Sequence, residues 1–207
     1  MLLCLSPSPL ERVGERSKGW GSLMDHNQAL EILKQYVKQD NMIKHSLASE
    51  VVMKAIARRL GRDEDKWGLA GLLHDVDVEV TNADALTHGQ VSIDILKPLG
   101  VDADVIEAIS MHNECSAKEP RSKEFHYALS AGETITGLIT ATTLVYPDKK
   151  LASVKPKSVV KRMKEKNFAA SVKRDNIMEC ELIGIPIAEF AELAIAAMQG
   201  ISDVLGL

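Results

Sequence analysis

Along most of the chain after Met24, apolar residues recur at intervals of three and four, which is the spacing of one face of an α-helix. The first such face contains Ala29, Leu33 and Val37, and Asp25 is placed to cap that helix. Further helices are predicted at about 43–60, 63–73, 88–96, 105–112, 125–145, 157–166, 176–182 and 187–204. The alternation of a strand occurs only at 76–80, in a short acidic stretch. The pattern therefore predicts an all-α fold.

The first 23 residues differ from the rest. They contain two Ser-Pro steps, three glycines and no helical periodicity. We expect a disordered N-terminal extension at 1–23, with Met24 as the natural start. The remainder, 24–207, is long enough for one well-filled core and is expected to be a single domain.

Composition and charge exclude several classes of protein. The net charge is -4, hydrophobic residues make up 45% and charged residues 26%, so no global charge draws the chain to nucleic acid or to a membrane. The three cysteines form no C-x-x-C pair, which argues against a disulfide framework and fits a cytoplasmic protein. We expect Cys115 to be a buried thiol rather than a ligand.

Histidines recur on predicted helical faces that are otherwise apolar. The apolar run 69–73 ends in His74 and Asp75, two neighbouring groups that are costly to desolvate. His45, His88 and His112 each share a face with apolar residues. One histidine in such a place is usually a hydrogen-bonded core residue, but three of them and the doublet together favour a common site.

Glu133 is the only charged residue from Tyr127 to Tyr146. Five threonines, a serine and two glycines interrupt this run, so it is not a membrane span. A lone carboxylate in a buried helix should be neutral, paired with a cation or bound to a metal. Thr136, one turn further on, is the alternative local partner.

In this order, the residues resemble the HD superfamily of metal-dependent phosphohydrolases, which is defined by a His, a His-Asp doublet and a final acidic ligand. The matching segments are Lys44-His45-Ser46, Gly71-Leu72-Leu73-His74-Asp75 and Ala131-Gly132-Glu133-Thr134. The resemblance covers about 25–146 and implies an HD-domain helical bundle.

Two more histidines extend the resemblance. His88, in Thr87-His88-Gly89, and His112, in Met111-His112-Asn113, fall where binuclear HD enzymes carry two extra histidines. The order is similar to that of bacterial HD hydrolases of diadenosine tetraphosphate and of small bacterial HD proteins of the HDIG type. Two departures stand out, because the last ligand is Glu133 where the family usually has aspartate, and Val78 stands where many members have a lysine.

Imidazoles and carboxylates suit a divalent transition metal such as Mn, Fe or Zn. Asp75 is the natural bridge, with His45, His74 and Glu133 completing one ion and His88 and His112 serving a second. Two ions can acidify a shared water and hold a phosphoryl group, so His74 and Asp75 are the expected catalytic residues. Whether one or two ions bind stays open.

A basic segment follows the site helix. Between 149 and 174 there are ten Lys or Arg residues and one acidic residue. It is either a solvated surface or a phosphate-attracting rim, for which we select Lys149 and Lys150. A single aromatic residue, Phe168, makes nucleic acid an unlikely partner.

Taken together, the sequence predicts a phosphomonoesterase or phosphodiesterase that acts on a nucleotide or another small phosphate ester. Two alternatives stay open. Some HD proteins are di-iron oxygenases with the same ligand order, and a degenerate HD module could bind a nucleotide without catalysis. No membrane partner is expected, and the oligomeric state is left open.

Overall fold

The computed structural model describes residues 24–207, and within that range the chain is helical with no strand, which confirms the all-α prediction. The predictions for 1–23 lie outside the described residues. The helices are α1 (His26–Tyr36), α2 (Asp40–Leu60), α3 (Glu64–Leu73), α4 (Val91–Leu96), α5 (Ala103–Met111), α6 (Glu124–Leu144), α7 (Pro156–Arg162), α8 (Arg174–Met178), α9 (Ile187–Gln199) and α10 (Ser202–Leu205). Single 3-10 turns occur at Lys97–Leu99, Leu151–Ser153 and Glu179–Ile183.

Side chains placed by the local sequence set the helix ends. Asp25 and Gln28 form a capping box at the start of α1, because each side chain accepts from the other residue's backbone N–H. Asp63 and Asp102 cap α3 and α5 by a single bond each, since one carboxylate oxygen accepts from the backbone N–H of Lys66 and of Asp104, respectively. Gly61 ends α2 in the left-handed conformation, at φ 66°.

Four predicted helices have different bounds. The one expected at 176–182 is α8, which ends at Met178, followed by the 3-10 turn Glu179–Ile183. The helix expected at 88–96 begins only at Val91, because Gly89 turns the backbone to φ 91° and leaves His88 in the preceding turn. The helix expected at 187–204 breaks after Gln199, because the backbone leaves the helical region at Ile201, at φ -128° and ψ 21°, and α10 begins at Ser202. The basic helix is shorter than expected and ends at Arg162.

Helix α2 is the centre of the fold and packs against α3, α6 and α9. The backbones of α2 and α3 approach each other closely at Gly71, because a Cβ added there would lie 2.6 Å from the carbonyl oxygen of Ser49. This close approach brings the end of α3 beside the middle of α2. Buried apolar side chains from α1 to α10 form one core. In the part of the chain that the structure describes, no helix is both long and apolar enough to cross a membrane.

Candidate metal centre

The six residues selected from the sequence as ligands converge on one buried spot. They form two groups of three, and within each group the donor atoms lie within 4.8 Å of one another. One group is His45, His74 and Glu133, and the other is Asp75, His88 and His112. Helix α2 supplies His45, α6 supplies Glu133, and the other four follow the ends of α3 and α5 or precede α4. Residues up to 88 positions apart in the chain, from 45 to 133, therefore share one site.

Asp75 lies between the two groups with one oxygen toward each. Its Oδ2 is 3.3 Å from His74 Nε2 and 3.6 Å from His45 Nε2. Its Oδ1 is 3.1 Å from His88 Nε2 and 3.6 Å from His112 Nε2. This is the arrangement expected of a carboxylate that serves two ions at once.

Two of the histidines are held by the ends of their own helices. His74 follows the last residue of α3, and its Nδ1 donates to the carbonyl of Gly71 at 2.8 Å. His112 follows the last residue of α5, and its Nδ1 donates to the carbonyl of Ile109 at 2.6 Å. The last carbonyls of a helix have no intrahelical partner, so each ring satisfies one of them and turns its Nε2 toward Asp75.

The other two histidines are held by side chains. The Nδ1 of His88 donates to Asp77 Oδ1 at 2.8 Å, and the other oxygen of Asp77 accepts from the backbone N–H groups of Gly89 and Ser92. The Nδ1 of His45 is 3.0 Å from Thr136 Oγ1. Because that hydroxyl already donates its proton to the carbonyl of Glu133, it must accept from His45.

These outer bonds place all four Nδ1 protons away from the centre and leave the Nε2 atoms as electron-pair donors. His45 Nε2 and His74 Nε2 are 3.1 Å apart, as are His88 Nε2 and His112 Nε2. Two lone pairs at this distance repel unless a proton or a cation lies between them. Four imidazoles fixed in this way, with two carboxylates, fit a divalent transition metal.

Burial and charge oppose each other strongly in this cluster. Burial and the neighbouring His74 lower the pKa of His45 to about 4. For His88, burial also acts downward, but the hydrogen bonds to Asp75 and Asp77 outweigh it and raise the pKa to about 10. Burial favours protonation of Asp75, yet His74 and the other rings hold the pKa of Asp75 well below its usual range. The anionic carboxylate thus attracts positive charge, which a bound cation can supply in place of protons.

Glu133 reaches the cluster despite being longer than the usual aspartate. Its Oε2 is 3.8 Å from His45 Nε2, and its Oε1 accepts from the hydroxyl of Thr134. Burial raises the pKa of Glu133 to about 7, partly opposed by His74. The alternative that Thr136 is the partner of this carboxylate is wrong, because Thr136 binds the backbone carbonyl and His45 instead.

A cleft of about 360 Å³ opens above the cluster. Its outer wall includes Asn113, Ser171, Lys173 and Asn176, and Lys173 forms an ion pair with Glu114. The lysine of the basic segment that faces this cleft is therefore Lys173.

Lys149 and Lys150, selected as phosphate ligands, are not part of this cleft. Both are exposed and lie beyond the end of α6 at Leu144. Their role stays a prediction without support from their position. Cys115 is exposed, so the expectation of a buried thiol is wrong; it lies beside Lys173, with Sγ 3.8 Å from Nζ, in the loop that follows α5.

Arg121 is a positioning residue that the sequence pattern did not reveal. Its side chain is 8% exposed and donates to the carbonyls of Met111 and His112 as well as to Glu179 and Asn176. It thereby ties the end of α5, which carries a cluster histidine, to α8 and the turn that follows. Only the buried environment distinguishes it from the other arginines, and that environment is formed by the tertiary fold.

The structure thus defines an all-α protein with a buried histidine and carboxylate cluster under an open cleft. Residues 42–139 match the family model of the HD domain, and this range includes all six cluster residues. The chain therefore contains an HD domain, a family whose members are typically metal-dependent phosphohydrolases.

Curated relatives match between about a third and a half of the chain. Ribonuclease Y of Nitratidesulfovibrio vulgaris is 32% identical over 97 residues, which are 47% of this chain and 18% of that protein. Ribonuclease Y of Deinococcus radiodurans is 32% identical over 74 residues, 36% of this chain and 13% of that protein. A tRNA (cytidine(56)-2'-O)-methyltransferase of Thermoplasma volcanium is 30% identical over 98 residues, 47% of this chain and 28% of that protein. The chain spans less than a third of each relative, and no solved structure matches it.

Proposed function

We propose that the protein is a metal-dependent phosphohydrolase that acts on a nucleotide or another small phosphate ester. The observation that carries the proposal is the set of four Nε2 atoms that face the two oxygens of Asp75, each ring fixed from behind by a hydrogen bond. The HD-domain match over the same residues supports the hydrolase class.

His45, His74, Glu133 and one oxygen of Asp75 would hold one ion, and His88, His112 and the other oxygen would hold a second. Mn, Fe or Zn suits this donor set. When bound, such ions supply Lewis acidity, which polarises phosphoryl oxygens and lowers the pKa of water. The C-terminal ends of α3 and α5 both point at the cluster, and their partial negative charge favours cations there.

The residues of the chain prepare the site before any substrate arrives. Outer hydrogen bonds fix the ring orientations of the histidines, so little reorganisation is needed on binding. Asp75 remains an anion with both oxygens available as acceptors, because its pKa is held low. Lys173 places a positive charge on the wall of the cleft. Its ammonium group can leave the ion pair with Glu114 and bind a phosphate oxygen instead. This lysine takes the place of the one that the family carries at the position of Val78.

Metal analysis and a substrate panel test the proposal. The wild-type protein and the Asp75→Ala, His74→Ala and His26→Ala variants would be loaded with Mn, Fe or Zn and assayed for phosphate release. The panel holds nucleotides, small phosphate monoesters and diesters and, because several relatives are named ribonuclease Y, a short oligoribonucleotide. Asp75→Ala and His74→Ala should lose bound metal and activity, whereas His26→Ala, a histidine outside the cluster, should keep both.

Two results would overturn the proposal. One is a metal-loaded wild-type protein that releases no phosphate from any member of the panel. The other is unchanged metal content in Asp75→Ala. Oxygen consumption by the iron-loaded protein is measured in parallel, since a positive result would favour the oxygenase alternative for the same ligand set.

A further inference from the structure

A second cavity, of about 460 Å³, lies beside the cluster between α2, α6 and the chain end at 205–207. We call it the apolar groove and define it by Ala48, Ala141, Leu144 and Leu205, with Lys44 and Thr140 as polar members. Lys44 is paired with Asp40 at 2.9 Å, so its charge is already balanced. The volume falls in the range of about 300–1,000 Å³ that is typical of small-molecule sites.

The apolar groove and the cleft above the cluster share a wall. His45 and Gly137 line both cavities. At this junction Gly137 contributes no side chain, and a Cβ added to it would lie 3.3 Å from Cγ2 of Val172, which also lines the cleft. A larger residue at 137 would therefore fill the space where the two cavities adjoin.

The two cavities have opposite chemistry. The cleft contains the cluster and Lys173, which suit a phosphoryl group, together with Glu114, the ion-pair partner of Lys173. The groove is mostly aliphatic and keeps Leu144 half exposed, at 51%, in its wall. An aliphatic surface that borders a polar site is complementary to a molecule with a phosphate at one end and an apolar group at the other.

We infer that the apolar groove binds the organic group of the phosphate-ester substrate, and that this group is largely apolar and of nucleoside size. The inference rests on the proposed function, because the cluster is taken to hold the phosphoryl end. Thr140 lies in the groove wall and offers its hydroxyl to a polar atom of the bound group. Because His45 lines both cavities, they are close enough for one small molecule to occupy both.

Ala141→Phe tests the inference, because Ala141 is a half-exposed helical residue whose side chain faces the groove. Ala196→Phe is the matched control, an exposed alanine of α9 that lines neither cavity. The probes are 1-naphthyl phosphate and methyl phosphate for hydrolysis, and 1-naphthylphosphonate, which cannot release phosphate, for binding by calorimetry. Each is measured on the metal-loaded protein.

In Ala141→Phe we expect the ratio of kcat/KM for 1-naphthyl phosphate to that for methyl phosphate to fall by about tenfold or more, and naphthylphosphonate to bind correspondingly more weakly. Gly137→Ala, at the junction, should change the ratio in the same direction, and Ala196→Phe should match the wild type. Metal content and the melting temperature of each variant check that the fold is intact.

The two proposals fail differently. If the wild type releases phosphate from neither ester nor from any member of the substrate panel, but binds the phosphonate, and Ala141→Phe weakens that binding, the hydrolase function is overturned and the groove assignment stands. If the ratio and the phosphonate affinity are the same in Ala141→Phe and Ala196→Phe, the groove assignment is overturned. It is equally overturned if Ala141→Phe changes only the sedimentation behaviour, since the groove would then be a protein contact.

Discussion

Replacing Thr136 with valine should weaken metal binding without unfolding the protein. Valine has nearly the shape of threonine, so packing at this site, which is only 1% exposed, is retained. The lost hydroxyl is the acceptor for His45 Nδ1–H at 3.0 Å. Without it, the buried ring has no partner on its outer side and can move its proton to Nε2, which removes the electron pair that faces the cluster.

The size of the effect follows from two independent estimates. A buried donor left without a partner costs about 1–3 kcal/mol. Loss of an outer partner of a metal-bound histidine typically lowers affinity by about 10–100-fold, which is about 1.4–2.8 kcal/mol. The loss of the second bond, from the Thr136 hydroxyl to the carbonyl of Glu133, should change the stability of the metal-free protein by only about 1 kcal/mol. The binding free energy should therefore fall by about 1.4–2.8 kcal/mol, and the free energy of unfolding of the metal-free protein by about 1 kcal/mol.

Competition with a chromophoric chelator measures the affinity, and urea unfolding in chelator measures the stability. Thr136→Ser is the matched control, because it retains the hydroxyl and should bind metal nearly as the wild type does. A two-site titration should show weakening at the site of His45 and His74, and little change at the site of His88. Equal affinities of the valine and serine variants would refute the argument that this hydroxyl sets the tautomer of His45.

Other perturbations test the fold around the site. Gly71→Ala should destabilise the protein by about 1–3 kcal/mol in urea unfolding, since the new Cβ would lie 2.6 Å from a backbone oxygen of α2. Gly200→Ala should cost less, because its Cβ would lie 3.3 Å from the nearest backbone oxygen, that of Ala197. Burial lowers the pKa of His126 below its usual 6.5, so the unfolded chain takes up this proton more readily than the folded one. Stability should therefore be fully present above about pH 6.5 and should fall as the pH drops below it. In His126→Gln a part of that slope should disappear, and an unchanged slope would contradict the assignment. In a Cys4→Ser variant, iodoacetamide should modify the exposed Cys115 and leave Cys180 unmodified until denaturant is added. Cys180 is protected because it is buried and because burial raises the pKa of its thiol to about 12.

Most of the helices and all six cluster residues could be predicted from the sequence, because both depend on local contrast. A histidine or glutamate on an apolar helical face, such as His45 or Glu133, stands out against its neighbours. One of the helix bounds that failed depends on contacts distant in the chain. The start of α4 is set by Asp77, whose carboxylate accepts from the backbone N–H groups of Gly89 and Ser92, 12 and 15 residues further on.

The choice of phosphate-binding lysines shows why distance along the chain misleads. Lys149 and Lys150 directly follow the helix that carries Glu133. A helix advances about 1.5 Å per residue, so the end of α6 at Leu144 is already about 16 Å from Glu133. Lys173 is 40 residues from Glu133, yet the chain returns over the site and places it in the cleft. No periodicity in the sequence encodes that return.

The cluster histidines at the ends of α3 and α5 couple metal binding to the integrity of these helices. His74 and His112 keep their orientation only while the carbonyls of Gly71 and Ile109 remain at the ends of ordered helices. If either helix frays in its last turn, the ring loses its partner and the donor set loses a member. By linkage, an ion that binds only the ordered form must stabilise it, by about 2.7 kcal/mol when the free ion is at about 100 times its dissociation constant. Metal should therefore protect the amides of the last turns of α3 and α5 from hydrogen exchange before it protects the rest of the fold.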